Sequence, residues 1–402
     1  MRKIEQKGLI GIEIEVLLMN KNLEPADAAS WFIKRMPKET IGVRGFQIGL
    51  TRVVKELYPS MLEINFKPFW EDEFDHVTME LQNTLKKLWE IGSEAEIYPC
   101  LISAPPFIPK NREIRPGETC AIHFHYSWGG GFLRQVERIP YYNGFAMIYL
   151  LMLPITLSSG FVAGKKRSFL GCRFKLATAL FPPVYLTEEN FDFDYILSEM
   201  ELMSAELGSH HSYPREPRLL DIAPLTKEEA YFLLSRKSTV EIRAFDTVPS
   251  LLLIRGLWIL IAAMGRFITD HRDAFKKVER SVFRTLWFLR SRVIKHGFKA
   301  TTIPISSALL PRVNGEPWPK FFQEPTPIRD ALLQLIEDLK PYIELIGETS
   351  TAVKRTMDKL MEFIKEGQTP AEKLYRVYES PDWKKRLLEI LEWAIYNLDF
   401  VP

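Results

Sequence analysis

Residues 8–18, GLIGIEIEVLL, hold Glu13 and Glu15 two positions apart in a run that is otherwise apolar or glycine. An extended chain alternates its faces. Both carboxylates therefore share one side of a strand, about 6.5–7 Å apart, with Ile12, Ile14 and Val16 on the other. Carboxylates that close repel each other unless a cation lies between them, and buried ones are rare unless paired or metal-bound. Taken alone, the stretch reads most simply as a half-buried strand whose glutamates face water. The same anomaly recurs in three later strands, and the recurrence is what constrains the chain. Glu63 interrupts the apolar MLEINF, His123 and His125 alternate in CAIHFHY, and Glu241 and Arg243 alternate in VEIRAFD. Each is weak singly: a lone strand glutamate is usually solvated, and HxH is either a polar face or a zinc pair.

Together the four strands describe a cleft rich in carboxylates, with at least one imidazole and one guanidinium. Oxygen-dominated ligation suits magnesium or manganese, whereas histidine alone would point to zinc. An arginine beside metal-binding carboxylates is what phosphoryl transfer calls for: cations neutralise phosphate oxygens, and the guanidinium stabilises charge on the transferring group.

Composition narrows the class. The chain has 402 residues, 46% hydrophobic and 26% charged, with a formal net charge of +2. That is the profile of a globular protein, and it offers no electrostatic case for a nucleic-acid partner. Cys100, Cys120 and Cys172 form no CxxC pair, so neither a disulfide framework nor a zinc knuckle is supported and a reducing cytoplasm fits. MRKIEQKG lacks the apolar core of a signal peptide. The segment 145–163 is charge-free and near membrane-spanning length. Pro154 interrupts it and Ser158, Ser159 and Gly160 end it, so it is read as a buried helix rather than a membrane span.

Along the chain, strands are expected within 41–68, at EIYPCLISAPPF, at TCAIHFHYSW and at STVEIRAFD. An amphipathic helix is expected over about 71–95, where Phe74, Val77, Leu81, Leu85 and Leu88 recur at helical spacing. A long helical region is expected over 132–163, a short helix over 225–236, two helices between 248 and 296, and a helical tail from 328 to about 398. Residues 181–224 read as a loop-rich segment and GKKRSFLGCRF as a basic, glycine-containing stretch. Strand and helix do not alternate regularly, which favours α+β with a mostly antiparallel sheet over a doubly wound fold. No GxGxxG or GxxxxGK[ST] occurs, and Gly129–Gly131 lacks the lysine and hydroxyl of a phosphate loop.

GIEIEVLL, the strand ending in SAPPF, CAIHFHYS, LPITLSSGFVAGKKRSFLGCRF and VEIRAFDT occur in an order that resembles the glutamate–cysteine ligase family of carboxylate–amine ligases. That family shares the catalytic fold of glutamine synthetase, so the resemblance implies a curved antiparallel sheet carrying the active site, with helices outside. The resemblance covers roughly residues 8–250; the expected division of the chain is a catalytic domain over 1–325 with the helical region 326–402 packed on it. The resemblance also implies ATP and Mg2+, or Mn2+, as cofactors, and small-molecule carboxylate and amine substrates joined through an acyl phosphate. A homo-oligomer is compatible with it.

Carried over by motif, Glu13, His123 and Glu241 correspond to ligands of the cation on the phosphates, and Glu15 and Glu63 to ligands of the one nearer the acyl acceptor. Arg243 would meet the γ-phosphate, and Arg173 substrate or phosphate. His125 would orient nucleotide or amine. Ile14 and the continuation YSWGGG depart from some ligases of this type, and cysteine does not follow as the amine. Lys165, Lys166 and Arg167 are as readily a solvated loop as an anion site; Lys165 and Arg167 are taken as candidates because Arg173 follows. His210 and His211 read as surface residues and Cys172 as structural. Two other classes share this logic: a guanidino-type phosphotransferase, and a binding protein on a ligase scaffold.

Overall fold

A computed structural model of the chain describes residues 7–35, 40–41, 45–48, 51–56, 58–108, 118–129, 135–171, 187, 195, 198, 220–221, 239–348 and 350–402. Among them, ten strands form one antiparallel sheet. Its main order is Leu220–Asp221, Val240–Asp246, Ala121–Trp128, Gly8–Asn20, Met61–Phe66, Thr51–Lys55, Gly45–Ile48 and Thr40–Ile41. The short strands Phe69–Trp70 and Ile97–Cys100 also pair with Gly8–Asn20. That 13-residue strand is hydrogen-bonded along both edges and forms the centre of the sheet.

Register explains why the strand pattern reads as it does. Ile10, Ile12 and Ile14 lie directly opposite Tyr126, Phe124 and Ile122, and Phe124 in turn lies opposite Ile242. Cross-strand partners project to the same face, so these residues make one apolar surface, each at most 2% exposed. Helices Gln135–Met152 and Leu251–Asp270 cover that surface. Tyr126 meets the ring of Phe145 at 5.6 Å, and Phe124 meets Phe245 at 5.8 Å. The opposite face of the same strands is left to the ionisable residues.

Helix Leu251–Asp270 begins at Ser250, whose hydroxyl accepts the Leu253 N–H at 3.2 Å, satisfying one of the free amides at the helix start. It is apolar nearly all round, which marks a buried element. It is the one described helix long and apolar enough to cross a membrane, and 94% of its most apolar window is buried. The charge-free segment 145–163 is not a single helix as expected. The helix stops at Met152, Pro154 lies in a 3-10 turn over Leu153–Ile155, and residues 161–162 begin a hairpin. Residues 145–160 are nonetheless buried throughout. The basic stretch that follows is likewise not all loop: Phe161–Val162 pairs with Lys165–Lys166 across a turn at Ala163 and Gly164, both at positive φ. The amphipathic helix runs over Phe74–Ser93 and buries all five expected positions. The expected helix over 225–236 lies outside the described residues.

The tail comprises helices Ile328–Gly347, Thr351–Glu366, Pro370–Tyr378 and Trp383–Tyr396. The first two pack on Leu251–Asp270, so that helix lies between them and the sheet. The third begins with a capping box in which Thr369 and Glu372 satisfy each other's backbone amides.

Gly265 marks a close helix–sheet approach: a Cβ there would sit 2.0 Å from the Tyr126 ring. The Gly265→Ala variant should therefore lose about 1–3 kcal/mol of stability, the usual effect of overpacking a filled core. Denaturant unfolding checks this, and a midpoint equal to wild type would mean that Tyr126 moves freely.

Candidate metal and phosphate site

The ionisable face is built in rows across the sheet. Glu13 lies opposite His123 on one side and Asn65 on the other. Glu15 lies opposite Glu63, which lies opposite Val54. His125 lies between Glu241 and Gly11. Glycine leaves this third row without a side chain on the central strand, next to the two histidines. Strand Val240–Asp246 loses regular register between Ile242 and Phe245, a bulge that sets Arg243 apart from the ladder.

Side-chain distances confirm that the rows converge. His123 Nδ1 is 3.5 Å from Glu13 and 3.7 Å from Glu241, and its Nε2 is 3.9 Å from Glu15. His125 Nε2 is 3.4 Å from Glu13 and 3.8 Å from Glu241. Arg243 donates to Glu241. Glu15 is fixed by the Ala121 N–H at 2.7 Å, Glu63 accepts from the Asn65 amide at 2.7 Å, and His125 Nδ1 sits 3.2 Å from the Thr239 hydroxyl.

Three groups have ligand atoms within 4.8 Å of one another: Glu13, Glu63 and His123; Glu13, His125 and Glu241; and Glu15, Glu56 and Glu63. Glu13 and Glu63 each serve two groups, so the whole is one connected cluster. The resemblance separated Glu13, His123 and Glu241 from Glu15 and Glu63; here Glu63 bridges the two sets and His125 joins the carboxylates. Glu56 escaped the sequence reading. It follows strand Thr51–Lys55 and precedes a turn, where a glutamate is ordinarily solvated. The signal was present across the hairpin: Val54 opposes Glu63, and Glu56 is two residues further along the same side.

Burial and charge fit divalent cations. His123 is 3% exposed. Burial foremost, and the charge of Arg243, hold its pKa down to about 4 against the pull of Glu13 and Glu241. It is neutral near pH 7, as a metal-ligating imidazole must be. His123 Nδ1 and His125 Nε2 are buried without a hydrogen-bond partner, yet both face carboxylates. Burial works to raise the Glu241 pKa, but Arg243, then His125 and His123, outweigh it and hold the group near 2. The set is thus five carboxylates and two imidazoles, a donor chemistry suited to magnesium or manganese.

Lys165 and Arg167 are exposed on the Phe161–Lys166 hairpin and the residue just after it. Arg173, His210, His211 and Cys172 lie outside the described residues. Cys100 and Cys120 are buried.

No protein-family model matches the sequence, and no curated protein does. Solved structures do. Glutamate–cysteine ligase from Francisella tularensis, in complex with AMP, superposes with a TM-score of 0.57 at 12% identity, covering 99% of this chain and 90% of that one. A bifunctional glutathione synthetase from Pasteurella multocida superposes with a TM-score of 0.52 at 14% identity, covering 98% of this chain. This chain spans about half of that protein, 52% of its length. The likeness at such identity is one of fold: an α+β, antiparallel-sheet, glutamine synthetase-like architecture.

The buried His123 gives the metal-free site a pH signature. Its unfolded-state pKa is about 6.5 and its folded one about 4. Only the unfolded chain takes up that proton between the two values, so stability falls as pH falls through this window. The contribution of Glu241 is lost lower, between about 4.3 and 2. Unfolding midpoints measured in chelator should therefore decline from about pH 6.5 to 4, and His123→Gln should flatten that decline. An unchanged slope in the variant would show that His123 is protonated in the fold.

Proposed function

We propose that the protein is an ATP-dependent carboxylate–amine ligase. The carrying observation is the convergence of Glu13, Glu15, Glu56, Glu63 and Glu241 with His123 and His125 on one sheet face. The fold, shared with a ligase solved in complex with AMP, supports the same reading. In this reading a carboxylate oxygen attacks the γ-phosphorus of ATP and the bond to the β–γ bridging oxygen breaks, giving ADP and an acyl phosphate. The amine then attacks the acyl carbon, inorganic phosphate leaves with the electron pair, and the ammonium proton passes to solvent or base. Mg2+ or Mn2+ held by the cluster would supply phosphate charge neutralisation and Lewis-acid polarisation.

The chain's own residues have separable tasks. Glu13, Glu63, Glu241, His123 and His125 form the phosphate end, and Glu15 and Glu56 extend it toward the acyl acceptor. Arg243 offers a planar fork that can engage a phosphate oxygen as well as Glu241. Lys165 and Arg167 supply positive charge for an anionic substrate, with Arg173 in the same role further on. Residues 1–325 would form the catalytic unit and 326–402 a helical region packed on it. The substrates would be a small carboxylate, glutamate or a similar amino acid, and a small amine, in the cytoplasm.

Hydroxylamine tests the reading because it intercepts an acyl phosphate as a hydroxamate. With Mg2+, ATP and hydroxylamine, ADP release should depend on one carboxylate among a panel of amino acids and dicarboxylates, with hydroxamate formed in step. Arg243→Lys should lower that rate by about a hundredfold, since the ammonium keeps the charge but not the fork. ADP release with a guanidino compound and no carboxylate would instead identify a phosphotransferase. No carboxylate-dependent ADP at all would contradict the ligase reading.

A further inference from the structure

The segment from Leu157 to Arg167 is held at its turn, where the Ala163 and Gly164 N–H groups donate to the Pro105 and Pro106 carbonyls at 3.2 and 2.7 Å, and at its two ends from two further sides. On the sheet side, Asp246 ends the strand that carries Glu241 and Arg243. It is 1% exposed and accepts from the Ser158 N–H at 3.3 Å and the Ser159 hydroxyl at 2.9 Å. Ser158 Oγ donates to the Thr247 carbonyl at 2.8 Å, and Thr247 Oγ1 donates to the backbone carbonyl of Glu15 at 2.9 Å. The start of the segment is thereby joined to two strands of the carboxylate cluster.

On the other side is the tail. The Ala371 N–H donates to the Leu157 carbonyl at 2.8 Å. The Tyr375 hydroxyl lies 3.2 Å from the Gly160 carbonyl and 3.4 Å from that of Arg167, and the Arg167 N–H closes the loop on Gly160 at 2.8 Å. One hydroxyl therefore reaches both ends of the hairpin. The approach requires glycine, because a Cβ at residue 160 would sit 2.3 Å from that oxygen. Around it, Phe161 stacks on Tyr378 with centroids 3.8 Å apart and planes at 10°, and the Lys166 ammonium lies 4.2 Å over the Tyr375 ring. Each hairpin strand has only two residues, and isolated two-stranded hairpins are marginal in water. Its conformation is set by what grips it.

We propose that Tyr375 is a positioning residue: the tail helix Pro370–Tyr378 clamps the basic hairpin, fixing Lys165 and Arg167 for an anionic substrate. This rests on the reading of those two side chains as substrate-binding groups. The aromatic ring and the hydroxyl act separately, the ring beneath Lys166 and the hydroxyl on the two carbonyls. Tyr375→Phe removes the second and keeps the first.

Trypsin under native conditions reads the clamp directly, since Lys165, Lys166 and Arg167 are exposed cleavage points. Cleavage there follows the population of the opened hairpin when reclosing is fast. In the full chain, Tyr375→Phe should raise cleavage at these three residues, mapped by mass, by about five- to tenfold, the effect of a lost hydrogen bond. Tyr375→Ala should raise it further, while the Tm of Tyr375→Phe moves by no more than about 2 °C. In the hydroxamate assay the KM for the carboxylate should rise by a similar factor with kcat nearly unchanged. Wild-type cleavage in both variants would overturn the clamp, as would faster cleavage accompanied by a general fall in Tm. An unchanged KM with a fallen kcat would overturn the positioning role. Cleavage needs no turnover, so failure of the ligase reading would show separately, as wild-type protein that releases no ADP.

Discussion

Burying a carboxylate without a compensating charge or donor is strongly unfavourable, and five of them meet on one face of this sheet. The strands can carry them because alternation hands the opposite face to Ile10, Ile12, Ile14, Ile122, Phe124, Tyr126 and Ile242, all at most 2% exposed. The stability of the sheet comes from that apolar face. The ionisable face then depends on Arg243, on the backbone amide of Ala121 and, in the function proposed, on divalent cations. Side chains directly across an antiparallel pair lie within about 5 Å at Cβ, which is why three cross-strand rows are enough to bring the ligand atoms together.

The helices do more than cover the core. Leu251–Asp270 touches Tyr126 at Gly265 and would meet Leu360 of the tail within 2.8 Å of a Cβ at Gly256. It therefore couples the back of the histidine strand to the tail through two glycine contacts. The tail in turn reaches the hairpin segment through Tyr375 and Tyr378. Residues far from the carboxylates in sequence are in this way joined to the segment that carries the basic side chains.

Period-two alternation made ExE, HxH and ExR legible as one face, because those positions depend on local geometry alone. Pairing register was not legible. Nothing in CAIHFHY says that His123 rather than His125 opposes Glu13, or that Gly11 opens the row beside His125. Glu56 was hidden because it lies past the end of its strand. Pro154 gave the interruption of the charge-free segment, but the hairpin after it depends on contacts with Tyr375, Tyr378 and Trp383, some two hundred residues away. The tail helices were legible as amphipathic; the particular aromatic residues that grip the hairpin were not, since a helical stripe of aromatics ordinarily signifies core.

The central claim is that this sheet face is a divalent-cation site, and anomalous diffraction from crystals soaked in Mn2+ tests it without requiring turnover or a known substrate. The account predicts anomalous peaks enclosed by Glu13, Glu63 and His123, by Glu13, His125 and Glu241, or by Glu15, Glu56 and Glu63, with the peaks at the first two sets lost in Glu13→Gln. Mn2+ confined to other parts of the surface, with the cluster's carboxylates instead paired to protein cations or protonated, would contradict it.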